Sequence, residues 1–132
     1  ADRKFLRKYN SMNIEKTKEF YKQIKVDDLC NCVYCQNYVR RIKLAYPSLA
    51  DYLNHLGVDI AKPFDTMPLE QDEMGYIEYI SAQYIVYGES SDFIKATIDS
   101  VNVDIAESHP SIKIEEVHFV IEVYPIRLEW GI

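Results

Sequence analysis

Between Cys30 and Tyr46, apolar or weakly polar side chains recur every three or four residues: Tyr34, Cys35, Tyr38, Val39, Ile42, Ala45 and Tyr46. That spacing predicts an amphipathic helix, with Gln36, Asn37, Arg40, Arg41 and Lys43 on its polar side. Asp27 and Asp28 precede it, and either carboxylate can accept hydrogen bonds from the free N–H groups of the first turn. Pro47 suits the first position of a second helix, where its missing N–H costs nothing. Leu49, Tyr52, Leu53 and Leu56 form the buried stripe of that helix, and Gly57 ends it in a left-handed cap. The pair Val33–Gly57 must bury both stripes on something else.

The flanking segments carry other periods. Phe5, Leu6, Tyr9 and Met12 stand at helical spacing among basic residues, predicting a short helix over Ala1–Asn13 that frays at the end. Phe20, Ile24 and Val26 share one parity, which predicts a strand over Glu19–Val26; a helix from Ile14 to Ile24 is the alternative. The stretch Val58–Gly75, with Pro63, Pro68 and Gly75, reads as a long loop whose acids, Glu70, Asp72 and Glu73, form a solvated rim. Tyr76–Ile80 and Gln83–Tyr87 read as strands, either one bent strand or a hairpin through Ser81-Ala82. The second is apolar on both parities, the mark of a strand covered on both faces. Gly88–Phe93 is a turn. Val101, Val103 and Ile105 alternate with Asn102, Asp104 and Ala106, and Val117, Phe119, Ile121 and Val123 alternate with His118, Val120, Glu122 and Tyr124. After Pro125 the apolar parity shifts to Ile126, Leu128 and Trp130, predicting a bulge or bend at Pro125 on a sheet edge. Helices followed by strands, without alternation, predict an α+β fold: an antiparallel sheet of four to five strands with the helical pair packed on it.

Length and composition bound the picture. The 132 residues fit a single domain, and 48% apolar residues with eleven tyrosines suffice for a core. No apolar run reaches a membrane span, and no signal-peptide pattern is present. Charge is split. Residues 1–43 hold eleven Lys/Arg against five Asp/Glu, a net of +6, while residues 44–132 hold four against sixteen, a net of −12, which together give −6. That acidity argues against a general nucleic-acid binder, whose phosphate contacts need clustered Lys and Arg. An odd count of three cysteines in a chain with adequate core favours a reducing compartment, and hence the cytoplasm.

The chemistry concentrates in Cys30-Asn-Cys32-Val-Tyr-Cys35. Three readings are open. Cys32 and Cys35, three apart and on one side of the first turn, serve as small buried hydrophobes. Alternatively Cys30, Cys32 and Cys35 are metal ligands, zinc being the first choice, their thiolates favoured by the helix N-terminus. Zinc takes four ligands, so His55, His109, His118 or a nearby Asp would complete the set. The third reading is a Cys32-x-x-Cys35 redox dithiol, which calls for a parallel βαβ surround. Apart from the thiols, His118 and Glu122 share a strand face that Asp104 could oppose across a hairpin, a small acid/base or metal cluster or simply a solvated polar face. His55, near Asp51, and His109, in a Pro turn, read as surface residues.

The run Cys32-Val-Tyr-Cys35-Gln-Asn37-Tyr38, then Tyr46-Pro47, Leu56-Gly57-Val-Asp59 and Lys62-Pro63-Phe64, resembles a family of small uncharacterised bacterial proteins with the pattern Cys-x-x-Cys-x-Asn-Tyr. The resemblance covers the middle third of the chain and implies no activity. The function classes therefore rank as a non-enzymatic interaction or accessory protein, then a zinc-binding module using the three cysteines, then a thiol redox protein. Enzymatic chemistry ranks low because no histidine is locally paired with a nucleophile. The expected partner is another protein or a second copy: Glu116–Trp130, if at a sheet edge, offers free backbone groups, and Val120 and Tyr124 add apolar surface, for a weak homodimer.

Overall fold

A computed structural model describes residues 12–131. Three helices, α1 (Ile14–Gln23), α2 (Val33–Ala45) and α3 (Pro47–His55), precede six strands. These are β1 (Asp65–Gln71), β2 (Tyr76–Tyr87), β3 (Ala96–Ile98), β4 (Val101–Ile105), β5 (His118–Tyr124) and β6 (Ile126–Glu129). One sheet runs β1-β2-β5-β4-β3, with β6 beside β2 below β5, and every pairing is antiparallel. The fold is α+β, with the helices on the sheet. No helix among the described residues is long and apolar enough to cross a membrane. The helix expected over Ala1–Asn13 falls almost wholly outside the described residues; Met12 makes a bridge to Gly88.

The strand expected over Glu19–Val26 is replaced by α1. Asn13 caps it, its Oδ1 accepting from Lys16 N at 3.0 Å, and Thr17 and Tyr21, one turn apart, are buried. Phe20 and Ile24 share a parity only because they are one helical turn apart, while Val26, counted with them, is 81% exposed. The long loop Val58–Gly75 also needs correction, since it contains β1. Its Pro68 is tolerated because β1 pairs with β2 alone and its pairing is irregular on either side of that proline. Asp72 does more than rim the surface: its carboxylate accepts from Met74 N and Tyr76 N, closing the β1–β2 turn, and pairs with Arg127.

Tyr76–Tyr87 is one strand, bent where the sequence shows Ser81-Ala82. Its residues facing the helices are Ile77 and Tyr79, then Ala82, Tyr84 and Val86; those of β5 and β6 are Phe119, Ile121 and Val123, then Ile126 and Leu128. Ala82 pairs with Val123 and Tyr79 with Ile126, so the register is the same on both sides of the break. Both strands turn over together, at Ile80-Ser81 and Tyr124-Pro125, the latter a cis peptide. It is a shared bend, with no residue inserted in one strand alone.

The helix side of the sheet holds the main core, where Tyr38, Ile42, Leu49 and Leu53 meet Tyr79 and Tyr84. Tyr84 donates its hydroxyl hydrogen to Ile60 O at 2.7 Å and, 2.6 Å away, accepts from Tyr38. On the other side Ile85, Tyr87 and Val120 are covered by Phe20, Phe64 and the chain around Ile112 and Ile114. This bears on the expected dimer surface. Val120 is 2% exposed and β5 lies between β2 and β4, so neither offers itself to a second copy. The edge of β6 is closed as well. Tyr46 Oη contacts Arg127 N at 3.0 Å and Arg127 O at 3.3 Å, and Asn37 Nδ2 donates to Glu129 O at 3.0 Å. Asn37 Oδ1 accepts from Gly131 N at 2.7 Å. Asn37, placed by periodicity on the polar side, is thus fully buried, because an amide can replace the missing neighbour strand.

Candidate functional site

The three cysteines meet at the start of α2. Asp27 and Asp28 do not cap that helix; they form a 3₁₀ turn in which Asp28 Oδ2 accepts from Lys25 N at 2.8 Å. Cys32 is the cap instead, its Sγ 3.4 Å from Cys35 N. A sulfur is a weak acceptor as a thiol and a better one as a thiolate, so the cap position itself favours ionised Cys32. Val33 begins the helix, and Tyr79 on β2 donates to Tyr34 O at 2.5 Å, tying the first turn to the sheet. Cys35 therefore comes off a pinned turn, and its Sγ lies 3.4 Å from Thr66 Oγ1 on β1.

The Sγ atoms of Cys30, Cys32 and Cys35 all lie within 4.8 Å of one another. Cys30 and Cys32 are exposed and Cys35 is half-buried, so the thiols are not core hydrophobes. Their acidities diverge. Burial works against ionising Cys32, but hydrogen bonds from the Cys35 N–H, the Cys30 and Cys35 thiols and the Tyr34 N–H outweigh it, and the net shift is downward. Burial pushes Cys35 up to about 12, the Thr66 hydroxyl opposing and the two neighbouring sulfurs adding to the rise.

All three thiols open on one cleft of about 330 Å³ between α1, α2 and the approach to β1. Its wall is largely apolar, with Phe20, Ile24, Val39 and Phe64, and its polar groups include Asp28, Asp65 and Lys62. Lys62 Nζ donates to Tyr21 O at 2.7 Å, closing one end. Thr66, Phe64 and Lys62 escaped the sequence reading because they sit in the stretch assigned to loop.

The histidines do not join them. His55 Nδ1 is 2.8 Å from Asp51 O on the exposed end of α3, and His118 Nδ1 is 2.8 Å from Glu116 O. His109 sits in the loop after β4 with its ring edge-on to Phe64, centroids 6.4 Å apart. Asp104 does pair across the sheet with Glu122, but His118 pairs with Tyr87. Among the described residues the cysteines are the one group of three or more His, Cys, Asp or Glu side chains close enough to share an ion. Comparison of the chain with protein-family models, with curated proteins and with solved structures found no match.

Proposed function

We propose that this protein is a non-enzymatic metal-binding accessory domain of the cytoplasm, in which Cys30, Cys32 and Cys35 hold one thiophilic divalent ion, zinc before others. The observation that carries this is the convergence of all three sulfurs within 4.8 Å. Zn–S bonds of about 2.3 Å in a tetrahedron place sulfurs about 3.8 Å apart. The observed separations, all within 4.8 Å, lie close to that spacing. Three thiolates would hold the ion and leave a fourth position for a ligand from solvent, since the thiols line an open cleft. A dithiol needs only two sulfurs, and the antiparallel sheet lacks the βαβ surround on which that chemistry is usually built.

Elemental analysis of protein purified without added metal tests the proposal. Near-stoichiometric zinc is expected, lost in Cys32→Ser and in Cys35→Ser, and cobalt substituted for it should show intense sulfur-to-metal absorption. Metal-free protein that gives no such absorption on cobalt addition under reducing conditions would defeat the reading.

A further inference from the structure

Next to the thiol cleft, on the far side of the Lys62–Tyr21 contact, lies a second groove of about 580 Å³. Four lysines from three separate segments line it: Lys18 and Lys22 on α1, Lys43 near the end of α2, and Lys62 before β1. In a chain of net charge −6 with 21 acidic residues, this gathering of like charge is unusual. Among the described residues only one of the four pairs with an acid. Lys18 pairs with Glu15 and Lys62 holds a backbone carbonyl, whereas Lys22 and Lys43 make no ion pair among the described residues. An anion entering the groove meets positive charge from each of these segments. The groove's two carboxylates, Asp51 and Asp59, likewise pair with no cation among the described residues. Asp59 Oδ1 already accepts from Ala61 N at 3.0 Å; its other oxygen and the Asp51 carboxylate can accept hydrogen bonds from hydroxyl groups and repel a second negative charge.

We propose that this groove binds a phosphorylated sugar or nucleoside. The phosphate sits among Lys18, Lys22 and Lys43, and the sugar hydroxyls face Asp51 and Asp59. A phosphate monoester brings nearly two negative charges to the lysines in one compact group. The size falls within the range of about 300–1,000 Å³ usual for small-molecule sites. Pro47 and Ala50 supply a small apolar wall against which a ring can lie, backed by the buried Val58 and Ile60. A polyanion such as nucleic acid or heparin fits poorly, because the two carboxylates interrupt the positive surface. The proposal stands apart from the metal reading, since no groove residue other than the shared Tyr21 and Lys62 touches the thiol cleft.

Titration of the isotope-labelled full chain with adenosine 5′-monophosphate, ribose 5-phosphate and inorganic phosphate, followed by NMR at low salt, tests it. Shifts should centre on residues 18–22, 43–54 and 57–62. Lys22→Glu and Lys43→Glu, both at exposed positions, should each weaken the esters by about tenfold or more, as loss and reversal of a directly facing charge does. Lys22→Gln and Lys43→Gln should show smaller losses, and Lys95→Glu, on the β3 side of the sheet, should leave binding unchanged. The proposal is overturned if no ester binds at millimolar concentration or if Lys95→Glu weakens binding as much as the groove variants. Inorganic phosphate binding as tightly as either ester would overturn it too, since the sugar would then contribute nothing.

Discussion

The buried hydroxyl chain Tyr38–Tyr84–Ile60 makes an asymmetric prediction. A carbonyl oxygen can only accept, so Tyr84 must donate to Ile60 O, and the hydrogen between the two tyrosines must then belong to Tyr38. Tyr38→Phe removes one hydrogen bond and leaves Tyr84 still donating to Ile60 O, a loss of about 1 kcal/mol. Tyr84→Phe removes both bonds. It strands the Ile60 carbonyl and the Tyr38 O–H where both tyrosines are fully buried, at about 1–3 kcal/mol for each orphaned group and about 3 kcal/mol in total. The double variant should cost no more than Tyr84→Phe, because removing the Tyr38 hydroxyl also removes one orphan. Urea unfolding at neutral pH reads this directly. With an m-value of about 2 kcal/mol/M, the gap of about 2 kcal/mol separates the single-variant midpoints by about 1 M. Equal losses for the two single variants, or simple additivity in the double, would refute the donor order and the reasoning built on it.

Two further predictions concern the α1–α3 junction and the thiols. Gly57 has φ of +87° and a Cβ there would sit 2.6 Å from Ile14 O, whereas Gly75, at φ +81°, has nothing within 4 Å. Gly57→Ala should therefore cost about 3 kcal/mol from the left-handed backbone and the clash together, and Gly75→Ala about 1 kcal/mol from the backbone alone, as measured by thermal or urea unfolding. In reduced, metal-free protein, iodoacetamide should modify Cys32 well ahead of Cys35, because the lowered Cys32 pKa supplies thiolate at neutral pH while Cys35, pushed up to about 12, stays protonated. The Cys32 rate should rise with pH to a plateau reached below that of an ordinary thiol. Peptide mass spectrometry across a pH series checks both, and modification of Cys35 first would contradict the assigned hydrogen bonds.

Periodicity alone located α2 and α3, the left-handed cap at Gly57, the doubly covered half of β2 and the change of parity at Pro125. Each of these follows from which residues must face a core, a property written along the chain. The three thiols were also visible as one candidate site, since six consecutive residues cannot stray far from one another. Other features needed the partners that folding brings in. α1 could not be told from a strand because a short apolar series satisfies both periods until burial of Thr17 and Tyr21 chooses between them. β1 is held by its neighbour, its own residues being proline-containing, acidic and largely exposed. Asn37 looks like a surface amide until β6 arrives, 92 residues later in the chain, with a carbonyl to satisfy. The lysines of the second groove are ordinary surface charges in sequence, and only the packing of α1 against the end of α3 and the 57–62 turn sets them around one space. The expected dimer strand failed for the same reason: whether Val120 faces water depends on the residue 106–116 segment folding back over the sheet, which no local pattern records.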